Sequence, residues 1–378
     1  MTRAFAVGVV LLGLVGLASG CGGESLDLGG VQLDGDGKTR PPRTTKSTAM
    51  VTHQRNAAWV HSEGSNLYWT TYDPADGDSA YAIWRCDKSD CAGTRRSIFS
   101  TRQSSRLVIH EQQAYFRHGG AIVRCSVDEC GTPEMVFARA SDAPSVVDDE
   151  NVYWGSSQDN AILSCPLTGC DKPSTPISSV GAVVDTAVDD SLLFWISWQS
   201  ETLQSIRYTP KFASASTSRL LFTGLPVVGS LILDDSFVYW SENVSSARIF
   251  RTPKVRGGSG SGPRQTLAMG QYYPRSLAID YDVLLWMSEV PSDQPLSSVE
   301  RPVRIMSCIL PGCDGTIEVL DEAQGGSLAN PVDSYLGRGN LVYDAEAIYF
   351  IGEVARVASV STPLVDASIL RLARRADR

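Results

Sequence analysis

Asp148-Asp149-Glu150-Asn151-Val152-Tyr153-Trp154 is an acidic turn followed at once by an apolar run ending in a large aromatic. Asp and Asn favour tight turns because their side chains hydrogen-bond nearby backbone. β-Branched and aromatic residues favour strands. The stretch therefore reads as the end of one strand, a tight turn and the start of the next. The apolar motif recurs seven times: Leu67-Tyr68-Trp69, Ala114-Tyr115-Phe116, Val152-Tyr153-Trp154, Leu193-Phe194-Trp195, Val238-Tyr239-Trp240, Leu284-Leu285-Trp286 and Ile348-Tyr349-Phe350. The spacings between anchors are 47, 38, 41, 45, 46 and 64 residues, and five of the eight tryptophans occupy the anchor position.

Two further columns keep this phase. Six residues before each anchor stand Glu63, His110, Asp148, Asp189, Asp234, Asp280 and Asp344. After each anchor come Ile83, Ile122, Ile162, Ile206, Ile249, Ile305 and Ile369, with Arg85, Arg124, Arg251 and Arg371 two residues further on in four repeats. The acid marks the turn from first to second strand, the anchor lies on the second, and the isoleucine starts the third. Weaker runs such as Glu134-Met135-Val136-Phe137 supply the fourth. Four strands per repeat, seven times over, is the arithmetic of an all-β, seven-bladed β-propeller of four-stranded antiparallel blades. The last repeat has residues for only three strands, whereas Ser47-Thr48-Ala49-Met50-Val51-Thr52 precedes the first strand of repeat one. That N-terminal strand is expected to close the last blade.

The repeat resembles the YWTD and TolB-like propeller families, most clearly at Pro274-Arg275-Ser276-Leu277-Ala278-Ile279-Asp280 followed by Leu284-Leu285-Trp286. It looks most similar to lipid-anchored propellers of Gram-negative bacteria. The resemblance implies a fold and carries over no catalytic residue.

The first 20 residues read as an export signal: Arg3 is the only charge, and an apolar run from Ala4 to Leu17 ends in Leu17-Ala18-Ser19-Gly20-Cys21. This looks like a lipobox, so Cys21 is the expected lipidation site and the membrane attachment. Residues 21–46, rich in Gly, Asp, Thr and Pro, read as a flexible tether, and 47–378 as the propeller. Gly22 points to the outer membrane, and an exported lipoprotein of a Gram-negative envelope is expected.

The other eight cysteines form four C-x4-C pairs, Cys86/Cys91, Cys125/Cys130, Cys165/Cys170 and Cys308/Cys313, each starting three residues after the column isoleucine. The remaining three repeats replace both positions together. Cysteines that come and go in pairs are bonded to each other or to one metal. Zinc favours C-x2-C knuckles grouped in fours, and the pair in repeat six has no neighbouring pair, so disulfides are expected and no metal. Each would staple the turn between the third and fourth strands of its own blade. Closing so short a loop contributes about 2 kcal/mol.

The chain of 378 residues carries a net charge of −9, against a nucleic-acid partner. No G-x-S-x-G elbow, H-E-x-x-H or P-loop occurs. Propellers commonly bind on the face made by the loops from second to third strand and from fourth strand to the next blade. Three such loops are long: Thr70–Ala82 with Tyr72, Asp73, Asp76, Asp78 and Tyr81; Met287–Arg304 with Glu289 and Asp293; and Ile351–Ser368 with Glu353. They belong to blades one, six and seven, which are consecutive in a closed ring. Asp73 to Asp78 could also hold calcium, the one cofactor the sequence suggests. The expected role is a monomeric, non-enzymatic scaffold binding an envelope protein or glycan. The alternative is an envelope glycan hydrolase or lyase using acids on the loop-rich face.

Overall fold

The computed structural model describes residues 32–33, 39–40, 47–101, 106–140, 146–178, 180–198, 200, 203–211, 218–254, 262–291, 303–323, 341–357 and 364–373. Cys21 and the signal segment lie outside these residues. The unit Met1–Thr44 contains one short antiparallel pair, Gln32–Leu33 with Thr39–Arg40. Among the described residues no helix is long and apolar enough to cross a membrane.

The second unit, Thr45–Arg378, contains seven four-stranded antiparallel sheets. Blade one runs Ala58–Glu63, Asn66–Tyr72, Tyr81–Asp87 and Arg96–Thr101. Blade five runs Val228–Leu233, Phe237–Glu242, Ala247–Pro253 and Gln265–Gln271; blade six runs Arg275–Asp280, Val283–Glu289, Val303–Ile309 and Glu318–Ala323. The first strand of every blade touches the first strands of both neighbours, including blade seven with blade one, so the ring is closed.

All seven anchors lie on second strands, and all seven column isoleucines on third strands. The anchor works in two directions because successive strand residues point to opposite faces. Its final Trp or Phe packs towards the preceding blade, and its middle residue towards the next. In the seam between blades two and three, Tyr115 and Ile122 of one blade meet Trp154 of the other. Between blades five and six, Tyr239 and Ile249 meet Trp286. The buried apolar side chains fall into seven such clusters, one for each seam.

Blade seven consists of Leu341–Tyr343, Ala347–Val357 and Leu364–Ala373, with Thr48–Arg55 as its outer strand. Closure by an N-terminal strand is thus as expected, with the strand reaching Arg55 instead of Thr52. One hydrogen bond identifies this strand as a true fourth strand. Gln54 Oε1 accepts from the indole of Trp69 in blade one at 3.0 Å, while its amide donates to the Thr52 carbonyl at 2.8 Å. Gln271, on the fourth strand of blade five, does the same: it accepts from Trp286 of blade six at 3.0 Å and donates to the Met269 carbonyl at 3.1 Å.

The four cysteine pairs are disulfides: Cys86–Cys91, Cys125–Cys130, Cys165–Cys170 and Cys308–Cys313. The first cysteine of each pair lies on a third strand. The second lies beyond it: Cys91 opens the short helix Cys91–Thr94, whereas Cys130, Cys170 and Cys313 sit in irregular backbone outside any strand or helix. Each staples the turn after the third strand, as expected, and has a second role. Each disulfide also packs into the seam with the preceding blade. Cys125 and Cys130 join Tyr68 and Ile83 of blade one, and Cys308 and Cys313 join Tyr239 and Ile249 of blade five. Cys91 and Cys86 pack with Tyr349 of blade seven. Cys170 packs against the seam of blades two and three, and its N–H donates to the Val136 carbonyl of blade two at 3.0 Å. The physical reason is that a disulfide is apolar and the turn folds back towards the neighbour, so the sulfurs leave water by entering the seam.

In four of the seven repeats the acid column is turn chemistry. Asp148, Asp189, Asp234 and Asp344 each accept two backbone N–H groups from the residues two and three further on. Three of them have a second task. Lys211 of blade four reaches Asp148 of blade three at 2.7 Å, Lys254 of blade five reaches Asp189 of blade four at 2.5 Å, and Lys88 of blade one reaches Asp344 of blade seven at 2.6 Å. Each lysine stands two residues after the column's first Cys or Thr and clasps its blade to the one before.

Burial opposes ionisation of these carboxylates, but the lysine and the backbone donors outweigh it, so all three titrate below the usual aspartate range. A carboxylate with a depressed folded pKa stabilises the fold above its unfolded value, about 3.9, and stops doing so as pH falls through the folded value. The urea midpoint is therefore expected to fall with acidification below about pH 4. Asp344→Asn should lower the midpoint near neutrality and flatten that acid limb. An unchanged acid limb would show that the ring-closing clasp adds no stability.

Candidate functional site

In an up-and-down blade the loops after the second and fourth strands share one end of the ring. The loop of blade one is built out from the closing strand. Asp73 caps a short 3-10 helix, Pro74–Ser79, its Oδ1 accepting from Ala75 N at 3.0 Å, and its Oδ2 pairs with Arg55. Asn56 donates to the Tyr72 carbonyl at 2.9 Å, and the Tyr72 and Tyr81 rings stack with centroids 4.4 Å apart. Asp76 is exposed. Tyr72, Asp73 and Tyr81 are thus brought together, but both Asp73 oxygens serve the loop itself. The side chain of Asp78 lies outside the described residues.

Blade six places Glu289 at the end of its second strand, where its carboxylate accepts from Arg275 Nη1 at 2.8 Å. Arg275 opens the first strand of the same blade and is 8% exposed. Its Nε and Nη2 are buried with no hydrogen-bond partner among the described residues. Asp293 lies outside the described residues. In blade seven the expected long loop is mostly strand. The second and third strands extend to Val357 and from Leu364, and Glu353 pairs with Ala367 in the ladder. Val354 and Val357 favour extended backbone, and the hairpin continues past a register shift between Glu353 and Ala355, so the sheet outruns the expected loop.

The centre of this end carries a cluster that the repeat columns do not reveal. Arg106, just ahead of the first strand of blade two, pairs with Asp185 on the first strand of blade four at 3.1 Å. Its guanidinium also lies over the Trp59 ring of blade one, 4.8 Å from the centroid. The pair skips blade three, so it crosses the channel. Arg106 and Asp185 are 11% and 7% exposed, which makes this an interior link. Glu242 in blade five, also buried, is held by Arg248 at 3.2 Å. Asp185, Glu242 and Glu289 each face their own guanidinium, so none stands as an unneutralised carboxylate.

Two of the histidines, His61 and His118, are engaged in hydrogen bonds within the fold. His61 hydrogen-bonds the Leu107 carbonyl at 2.7 Å; burial, with Arg106 nearby, lowers its pKa to about 4. His118 Nδ1 meets the Thr101 hydroxyl at 3.0 Å. On the opposite end of the ring, which also carries the disulfide turns, His110, Glu111 and Asp149 offer ligand atoms within 4.8 Å of one another, with both acids exposed. The sequence did not group them, because His110 and Glu111 lie on a turn of blade two and Asp149 on a turn of blade three.

No protein-family model matches the chain, and no curated protein matches it. Solved structures do. A streptogramin B lyase superposes with a TM-score of 0.54 at 10% identity, over 86% of this chain and 97% of that one. A virginiamycin B lyase from Staphylococcus aureus gives 0.52 at 11% identity, over 85% and 98%. A CNH domain gives 0.51 at 11% identity, over 85% and 98%. Likeness at these identities defines a shared β-propeller fold and nothing finer.

Proposed function

We propose that the chain is an exported, lipid-anchored propeller of the cell envelope, attached through Cys21 to the outer membrane. In this reading it binds a protein or glycan on the end formed by the second-to-third-strand loops. One observation carries the reading. The closing strand Thr48–Arg55 brings blade seven beside blade one and itself ties down the blade-one loop through Arg55 and Asn56. The blades that carry the loops after Glu289, Val357 and Tyr72 are thereby consecutive in one closed ring, the usual kind of scaffold for recognition. The glycan hydrolase or lyase alternative draws less support, since paired-carboxylate chemistry needs two acids free to act on the substrate, and Asp185, Glu242 and Glu289 each face an arginine.

Two measurements test this. Growth with a palmitate analogue should label the wild-type chain, and Cys21→Ser should lose both label and membrane fractionation. A chain that stays unlabelled overturns the anchor. For the face, residues 74–79, 290–302 and 358–363 are replaced by short glycine-containing turns, and cross-linked envelope partners and purified envelope glycans are compared with wild type. Loss of the same partners or glycans in the replacement protein is expected, with an unchanged urea midpoint. Retention of all of them would move the site elsewhere.

A further inference from the structure

The lysine clasp is missing from the seam between blades five and six, and the groove left there has the chemistry to take one from outside. In the seam between blades seven and one, Asp344, Tyr349 and Arg371 surround the point where Lys88 Nζ arrives. Blade five repeats the first three groups as Asp234, Tyr239 and Arg251. The residue that would carry the ammonium is Leu310. Its position is fixed by the backbone: Leu310 N donates to the Asp282 carbonyl at 2.6 Å, as Lys88, Lys211 and Lys254 donate to Ser65, Ser191 and Ser236 at 2.8 Å each. The leucine therefore occupies the lysine's place but cannot supply its charge.

The other features of the seam agree. A groove of about 600 Å³ runs along it, lined by Asp234, Asp235 and Asp282 with one opposing cation, Arg251. Arg251 stacks on the Phe237 ring at 4.2 Å and donates to Gln265 at 2.8 Å. Its counterpart Arg371 shares its seam with Lys88, so this arginine does not exclude an ammonium. Asp234 Oδ2 accepts from the Tyr239 hydroxyl at 2.5 Å. A carboxylate oxygen can take a second donor: Asp344 Oδ2 takes both Lys88 and Ser62. On the rim, Tyr281 is 94% exposed, an unusual position for a large aromatic and a ready face for a cation. The acidic balance of the chain, −9, favours a basic partner.

We propose that this groove binds a primary ammonium group, the side chain of a partner protein's lysine, in the place that Lys88, Lys211 and Lys254 fill at three other seams. It lies at the end of the ring opposite the face proposed above, so the two readings stand or fall separately. The test is a calorimetric titration of the full chain with acetyl-Gly-Lys-Gly-amide, its glutamine counterpart and pentane-1,5-diamine. The lysine peptide should bind and the glutamine peptide should not. Leu310→Lys, which supplies the missing clasp in cis, and Asp234→Asn should each weaken binding by about tenfold or more. Leu310→Lys should also raise the urea midpoint. Absence of binding by the lysine peptide, or binding unchanged in both variants, overturns the site. Tighter binding of the diamine than of the peptide overturns the assignment to a partner's lysine.

Discussion

Deleting residues 47–55 is expected to cost several kcal/mol and to make the chain self-associate. The strand supplies the whole outer ladder of blade seven, pairing from Thr48 with Arg371 to Arg55 with Asp366. Its Val51 is 5% exposed and sits in the seam core with Trp69 and Tyr349. Burying a valine contributes about 1.5–3 kcal/mol. Without Gln54 the Trp69 indole N–H is left buried and unpaired, a further cost of about 1–3 kcal/mol. The exposed edge of Leu364–Ala373 then offers unpaired backbone to another copy. Urea denaturation and sedimentation velocity read both effects, and a peptide of residues 47–55 added in trans should reverse them. A deletion variant that does not self-associate and keeps the wild-type midpoint would show that the ring does not depend on this strand.

The repeat was legible because its main signals are local. An anchor, its turn acid and its isoleucine all fall within one blade, and their common phase survives irregular spacing. The eight paired cysteines were legible for the same reason: each pair belongs to one turn. Their second role was not, because the residues that Cys130, Cys170 and Cys313 pack against belong to the preceding blade. What stayed hidden joins residues that no local pattern connects. Arg106 and Asp185 stand 79 positions apart, and nothing near either one announces the other. The lysines two residues after the Cys or Thr column were in plain sight, but their meaning depends on the acid of the preceding blade. That pairing appears only once the ring is built. Gln54 and Gln271 are a similar case, since an isolated glutamine at a strand end carries no signal until its tryptophan is placed. The blade-seven loop was misjudged because length alone suggested a loop, whereas the hairpin ladder runs on to Val357 paired with Leu364. The aspartates at 73–78 suggested an ion. Among them Asp73 caps a short helix and pairs with Arg55.

Trp286→Ala is expected to cost about 3–5 kcal/mol, the usual penalty for emptying a fully buried tryptophan site. Trp286 is completely buried, in a cluster with Tyr239, Ile249 and Leu267 of the neighbouring blade. The more informative comparison is with Trp240, which is equally buried but whose indole N–H has no partner among the described residues. Replacing each tryptophan by phenylalanine removes the N–H and keeps most of the ring. At position 240 that change relieves an unpaired donor, so the packing loss is partly offset. At position 286 it leaves the Gln271 carbonyl unpaired as well, and Trp286→Phe should be the more destabilising of the two by about 1 kcal/mol. A double-mutant cycle of Trp286→Phe with Gln271→Ala should recover a coupling of similar size, because the two side chains share one hydrogen bond. Equal costs at 240 and 286 with no coupling would mean that the anchors hold the seams by packing alone, and that the indole–glutamine bond adds nothing to the ring.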